Sequence, residues 1–338
     1  PLSRTLRFRV FIWRNFSRET GSHFPARCAR KAAWVTGRLF LANDFWRMIF
    51  WRAMERDDSF AACGAMVRAR DADRYFAALF APKETRGALF ALYALNYELA
   101  HVGESVREPM VGDIRMQWWR ETLESARDGH PRAHVVAHAL AAAMAAQDLP
   151  GDLFERMIEA RGFDYLDGYF TDCAELESYA ADTAGALIQL ALRAAGATVA
   201  KDEAALDEAA REAGIAYALC GLLRALPHHA ARRKLYLPLD VLAAHAISPE
   251  DIFSGRDSEG LRAAVAAIAA RARAHLDAAR ALGRPGAKAL PVFLPLGLVP
   301  LYLKQMAAPD FNPFRMAVEL PLYRRQWRYL TAALSGRV

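Results

Sequence analysis

Four cysteines in 338 residues, Cys28, Cys63, Cys173 and Cys220, stand far apart with no CxxC pair. That excludes a disulfide scaffold and a cysteine-based zinc site. Nowhere is there a run of about 18 uncharged apolar residues, so no spanning helix is predicted. Alternating β-type runs are nearly absent, and Tyr236-Leu237-Pro238-Leu239 is too short to make a sheet. There is no internal repeat, and no long linker after residue 70. With 54% hydrophobic and 24% charged residues, the chain has enough apolar material for a large core and too much for disorder to dominate.

The net charge of +6 is unevenly distributed. Residues 1–53 carry eleven Lys/Arg and two acids, Glu19 and Asp44, whereas residues 54–338 carry 33 Lys/Arg against 36 Asp/Glu. The body is mildly acidic, which argues against nucleic-acid binding. The extension, 1–53, mixes Arg4, Arg7, Arg9 and Arg14 with Phe8, Phe11, Trp13 and Phe16. It reads as a transit peptide, a membrane-surface segment, or translated sequence upstream of a start at Met54.

From about Asp71 onward the apolar spacing is helical. Leu89, Tyr93, Asn96 and Ala100 recur at helix intervals, as do Leu92, Leu95, Leu99 and Val102. Further helices are predicted near 112–128, 134–147, 151–168, 174–195, 201–226, 258–282, 288–306 and 312–333. Gly129-His130-Pro131, Pro150-Gly151, Gly196 and Gly283-Arg284-Pro285-Gly286 separate them. Ser248-Pro249-Glu250-Asp251 reads as a helix start: an N-cap, an N1 proline and acids in the first turn. A single all-α domain is the expected fold class.

Two stretches carry a family resemblance. One is Leu89-Phe90-Ala91-Leu92-Tyr93-Ala94-Leu95-Asn96-Tyr97-Glu98-Leu99-Ala100-His101-Val102-Gly103-Glu104. The other runs from Gly214-Ile215-Ala216-Tyr217 through Leu222-Leu223-Arg224 to Arg232-Arg233-Lys234-Leu235-Tyr236-Leu237-Pro238. With Met116-Gln117-Trp118-Trp119-Arg120, and Tyr179 followed by Ala184-Gly185, they resemble the squalene/phytoene synthase family over roughly 72–330. The resemblance implies an isoprenoid-synthase-type helical bundle around a central cavity, occupying 54–338. It also implies a transferase of isoprenoid biosynthesis that joins two prenyl diphosphates head to head. Mg²⁺ held by two aspartate-rich motifs would assist that reaction.

The chain departs from the family where that chemistry resides. The Asp-Asp-x-x-Asp motif falls on Ala100, His101 and Glu104, and an arginine before it on Tyr97. The Asp-x-x-Glu-Asp motif keeps its preceding arginine, Arg224, but its acids fall on Ala225, His228 and His229, with Pro227 between. A Ser-Phe pair near the diphosphate falls on Asp73-Arg74. One carboxylate of six remains, too few for a diphosphate-binding Mg²⁺ cluster.

The strings 114–120 and 223–234 further resemble a non-catalytic branch containing the mitochondrial complex I assembly factor and bacterial relatives. That resemblance implies a pseudoenzyme with no cofactor, a complex I subunit or assembly intermediate as partner, and peripheral contact with a membrane. It implies a place in the cytoplasm at the inner membrane of a bacterium, or in the mitochondrial matrix. The alternatives are an active prenyltransferase using Mg²⁺ and a non-catalytic binder of prenyl lipid or quinone.

Several side chains admit two readings. His101, Glu104 and His229 would suit a transition metal, or simply line a disused pocket. Arg224, Arg232, Arg233 and Lys234 would bind an anion, or spend their charge on neighbouring groups. Trp118-Trp119 is expected to put one ring in the core, the second being a candidate partner anchor. Asp164 is expected to accept a hydrogen bond or salt bridge between helices, and His134 and His138 to be solvated surface residues.

Overall fold

A computed structural model describes residues 58–106, 108–197, 203–308 and 310–338. The extension 1–53 and the boundary at Met54 lie outside the described residues. Within them every regular element is helical. The first helix, α1, includes residues 58–70. It is followed by α2 (Ala72–Ala78), α3 (Lys83–Ser105), α4 (Pro109–Arg127), α5 (Val135–Ala146) and α6 (Gly151–Ala160). A 3₁₀ turn, Arg161–Asp164, leads to α7 (Cys173–Ala180), a π-turn (Ala181–Gly185) and α8 (Ala186–Ala194). Then come α9 (Glu203–Arg224), α10 (Leu226–Ala231), α11 (Leu239–Ala244), α12 (Pro249–Phe253) and α13 (Glu259–Ala281). The chain closes with α14 (Leu290–Phe293), a 3₁₀ turn (Leu294–Leu298), α15 (Val299–Met306) and α16 (Leu322–Ser335).

The helix α3 is buried almost all round, from Ala88 through Leu95, and then on one face at Leu99 and Val102. Its polar positions therefore lie in its first turn, 83–86, and in its C-terminal turns. It packs on α5 and α8, while α9 packs along α13 and on the π-turn. One contiguous apolar core joins these layers. The α9 to π-turn contact depends on a missing side chain. A Cβ on Gly214 would lie 2.3 Å from the backbone of Gly185.

The expected start at Ser248 is a complete capping box with Asp251. Two predicted spans need correction. The segment 151–168 is helical only to Ala160, and turns through 3₁₀ geometry at Asp164. The helix expected over 312–333 begins at Leu322, because Pro313 and Pro321 cannot supply the backbone N–H of a helix interior.

Candidate functional site

The C-terminal turns of α3 carry Tyr97, Ala100, His101 and Glu104. Tyr97 stacks on the His101 imidazole, centroids 5.5 Å apart, and Arg70 lies 5.4 Å from the Tyr97 ring on its other flank. His101 Nδ1 stands 3.1 Å from Glu104 Oε2. The segment after α9 supplies the facing groups. Ala225 leaves helical geometry and Pro227 restarts the chain as the short α10. This places His228 Nε2 3.4 Å from Glu104 Oε1. Arg232 Nη2 donates to the Glu104 carbonyl oxygen. Burial raises the Glu104 pKa, but the His101 hydrogen bond and the nearby His228 and Arg232 outweigh it, leaving the carboxyl below its usual range.

His229 points elsewhere. Its ring packs 4.5 Å from that of Tyr236, and burial above all, with His228 beside it, lowers its pKa to about 4. The Tyr236 hydroxyl donates to Asp164 Oδ1 over 2.8 Å, and Tyr179 donates to the same oxygen over 2.7 Å. Arg161 Nη1 closes the group at 2.9 Å from both Asp164 Oδ2 and the Tyr179 oxygen, while Nη2 reaches Asn96 Oδ1 at 3.3 Å. Burial and the Asp164 carboxylate push both tyrosines far above the usual phenol range, so they remain donors. Phe163 and Phe170, stacked at 3.8 Å, wall this group. Asp164 is thus the expected acceptor. It joins the turn after α6 to α7 and to the strap following α10.

A second buried network surrounds Asp73. Arg325 Nη1 donates to Asp73 Oδ1 and the Tyr302 hydroxyl to Oδ2, each over 3.1 Å. Tyr329 donates to the Asp73 carbonyl over 3.2 Å. Arg74 pairs with Asp71 at 2.7 Å and lies 4.7 Å from the Tyr217 ring. The acid and the base of the Asp73-Arg74 pair are therefore both engaged within the fold. Arg325, Tyr302 and Tyr329 had no motif in the sequence to mark them. They reach Asp73 from more than 220 residues away, and the only local signal for Arg325 and Tyr329 is the aromatic and basic run Tyr323-Arg324-Arg325-Gln326-Trp327-Arg328-Tyr329.

The four cations Arg224, Arg232, Arg233 and Lys234 engage four separate partners. Arg224 Nε donates to the Val318 carbonyl over 3.1 Å, and its guanidinium lies 3.8 Å above Tyr302. Arg232 holds the end of α3. Arg233, at φ +55°, swings out to Glu250 at 2.9 Å. Lys234 Nζ donates to the Leu166 carbonyl over 2.6 Å and faces the Phe163 ring. The left-handed turn at Arg233 reverses the chain and disperses the charges instead of focusing them.

The donor set does not fit magnesium. That ion takes oxygen ligands, and both carboxylate oxygens of Glu104 already face imidazoles. Among the described residues no three His, Cys, Asp or Glu side chains are placed to hold a metal ion. The grouping of His101, Glu104 and His229 is not assembled: it is His228 that meets Glu104, while His229 turns to Tyr236. Trp119 is buried and Trp118 half-buried, packed edge-on at 4.9 Å. His134 lies 5.2 Å from Trp119, with its Nδ1 buried and without a hydrogen-bond partner, so it is not a solvated histidine.

Known proteins place this arrangement. The NADH dehydrogenase (ubiquinone) complex I assembly factor 6 of Homo sapiens is 34% identical over 274 residues, covering 79% of this chain and 81% of that protein. A phytoene synthase of Thermus thermophilus is 30% identical over 218 residues, 62% of this chain and 69% of the enzyme. A dehydrosqualene synthase crystal structure superposes with a TM-score of 0.71 at 15% identity, covering 84% of this chain and 98% of that one. The sequence profile for squalene/phytoene synthase matches residues 67–329, within which both buried networks and the Glu104 constellation lie. By sequence and by fold, the chain belongs to the squalene/phytoene synthase family.

Proposed function

We propose that this protein serves in the assembly of respiratory complex I, without condensing prenyl diphosphates. One observation carries the second half of that reading. Glu104 is the only carboxylate left at the motif positions, and His101 and His228 occupy both of its oxygens. A diphosphate leaving group needs several metal-held charges, and the constellation offers a single carboxylate that already faces two imidazoles. The similarity to complex I assembly factors supports the first half.

An assembly factor must present a surface to a partner. Helix α16 turns Tyr323, Trp327, Leu330 and Leu334 to solvent at spacings of four, three and four, one stripe on a helix. Large exposed apolar side chains of this kind suit a protein interface. Trp327 is 67% exposed and is a better anchor than half-buried Trp118. The partner is an assembly intermediate of complex I, met in the mitochondrial matrix or, in a bacterium, on the cytoplasmic side of the inner membrane. No helix among the described residues is long and apolar enough to cross a membrane.

The similarity to a phytoene synthase favours one other reading, an active prenyltransferase. Incubating the full chain with farnesyl or geranylgeranyl diphosphate, Mg²⁺ and NADPH separates the two. The expected result is no condensed hydrocarbon and no released diphosphate. Mg²⁺-dependent product that disappears in Glu104→Gln would establish the transferase instead.

A further inference from the structure

A cavity of about 880 Å³ opens where the loop 282–289 passes between α9, α13 and the end of α16. None of its lining residues belongs to the Glu104, Asp164 or Asp73 groups. Its floor is hydrocarbon: Leu206, Leu276, Ala279, Phe293 and Leu296. Among the described residues its charged lining side chains are all cations, Arg280, Arg284, Lys288 and Arg337.

Among the described residues most arginines are committed to a partner, but these are largely not. Arg284, Lys288 and Arg337 have no side-chain hydrogen bond or ion pair with any described residue. Arg280 donates through Nε to the main-chain oxygen of Val338 over 2.9 Å, and its contact with Asp277 is long, at 3.4 Å. Partial burial, with Arg273 and Arg328 nearby, outweighs Asp277 and lowers its pKa. Among the described side chains of the lining, the formal charge is therefore all positive. A volume of this size lies within the range of small-molecule sites, which combine an apolar lining with a few polar groups that fix orientation. Cations lining an otherwise apolar recess match a molecule with a hydrocarbon tail and an anionic head, because guanidinium groups pair with phosphate in a bidentate manner.

We infer that the recess between α9, α13 and the end of α16 binds a single-tailed lipid with a phosphate head. The tail lies along Leu206, Leu276 and Phe293, and the head sits among Arg280, Arg284, Lys288 and Arg337. This inference is independent of the reading of the Glu104 constellation.

Calorimetric titration of the full chain with lysophosphatidate, below its micelle concentration, tests it. Saturable binding is expected. The double variant Arg284→Glu/Lys288→Glu changes two exposed side chains that support nothing in the fold, and is expected to weaken binding at least tenfold with an unchanged circular dichroism spectrum. Ala209→Trp, which fills the floor and leaves the charges in place, should weaken it comparably. The variants retain residues 1–53, so attraction of the lipid to that basic segment would appear as binding the double variant does not alter, and would overturn the assignment. Equal affinity for the uncharged monoacylglycerol would overturn it too, as would no binding at all. Inorganic phosphate binding as tightly as lysophosphatidate would replace the lipid by a soluble anion, and so overturn the assignment.

Discussion

Asp164 shows what one buried carboxylate does in this protein. It accepts from Tyr179, Tyr236 and Arg161 at once, so its removal strands a buried guanidinium. Asp164→Ala is expected to cost about 3–5 kcal/mol in urea unfolding, the usual penalty for breaking a buried ion pair from one side. Tyr236→Phe, which loses one hydrogen bond, should cost only about 1 kcal/mol. His229 adds a pH dependence. It is held at about 4 in the folded chain, against 6.5 for an ordinary imidazole. Between those values the unfolded chain binds the extra proton and the folded chain does not. Stability from this group is therefore full above about pH 6.5 and lost as the pH falls toward 4, by up to about 3 kcal/mol. The melting temperature of the wild type should fall more between pH 7.5 and 5 than that of His229→Gln.

At the scale of elements, the fold depends on a few places where helices nearly touch or stop. Gly214 brings α9 onto the π-turn at Gly185, where a Cβ would meet backbone at 2.3 Å. Backbone cannot yield as a flexible side chain does. Gly214→Ala should therefore destabilise by about 3 kcal/mol, at the upper end of ordinary overpacking, despite the better helix propensity of alanine. A matched Gly221→Ala, whose Cβ meets nothing within 4 Å, should be neutral or slightly stabilising in the same chemical denaturation. Helix identity and most ends were legible from apolar spacing and from Gly/Pro punctuation. The π-turn was not, because Ala181–Gly185 is compositionally an ordinary helix interior. The late start of α16 could have been foreseen from Pro321, since a helix over 312–333 would have had to pass through it.

For the molecule as a whole, an assembly role makes surface and stability separable. The stripe on α16 lies outside the core, so Tyr323→Ala/Trp327→Ala should shift unfolding free energy by less than about 1 kcal/mol. In a strain lacking the native gene, the same double variant should fail to restore complex I activity where the wild type does. Glu104→Gln, which removes a charge from an already occupied carboxylate, should restore it fully. Restoration by the double variant as complete as by the wild type would remove α16 from the interaction.

The family and the helical class are properties of the sequence. Apolar period and residue identity are local, and they survive without knowledge of distant contacts. The acceptor role of Asp164 was expected from the sequence as well. Which donors it finds was decided by tertiary structure, as was the choice of His228 over His229 for Glu104. Adjacent residues on a short helix point about 100° apart, and only the direction in which α10 leaves the break at Ala225 selects one of them. The four basic residues at 224 and 232–234 look like a single anion site in one dimension. They become four separate anchors in three dimensions, because the left-handed turn at Arg233 divides them. The unpaired cations of the recess come from two places in the chain, the loop 282–289 and the end of α16, and only folding brings them around one apolar lining.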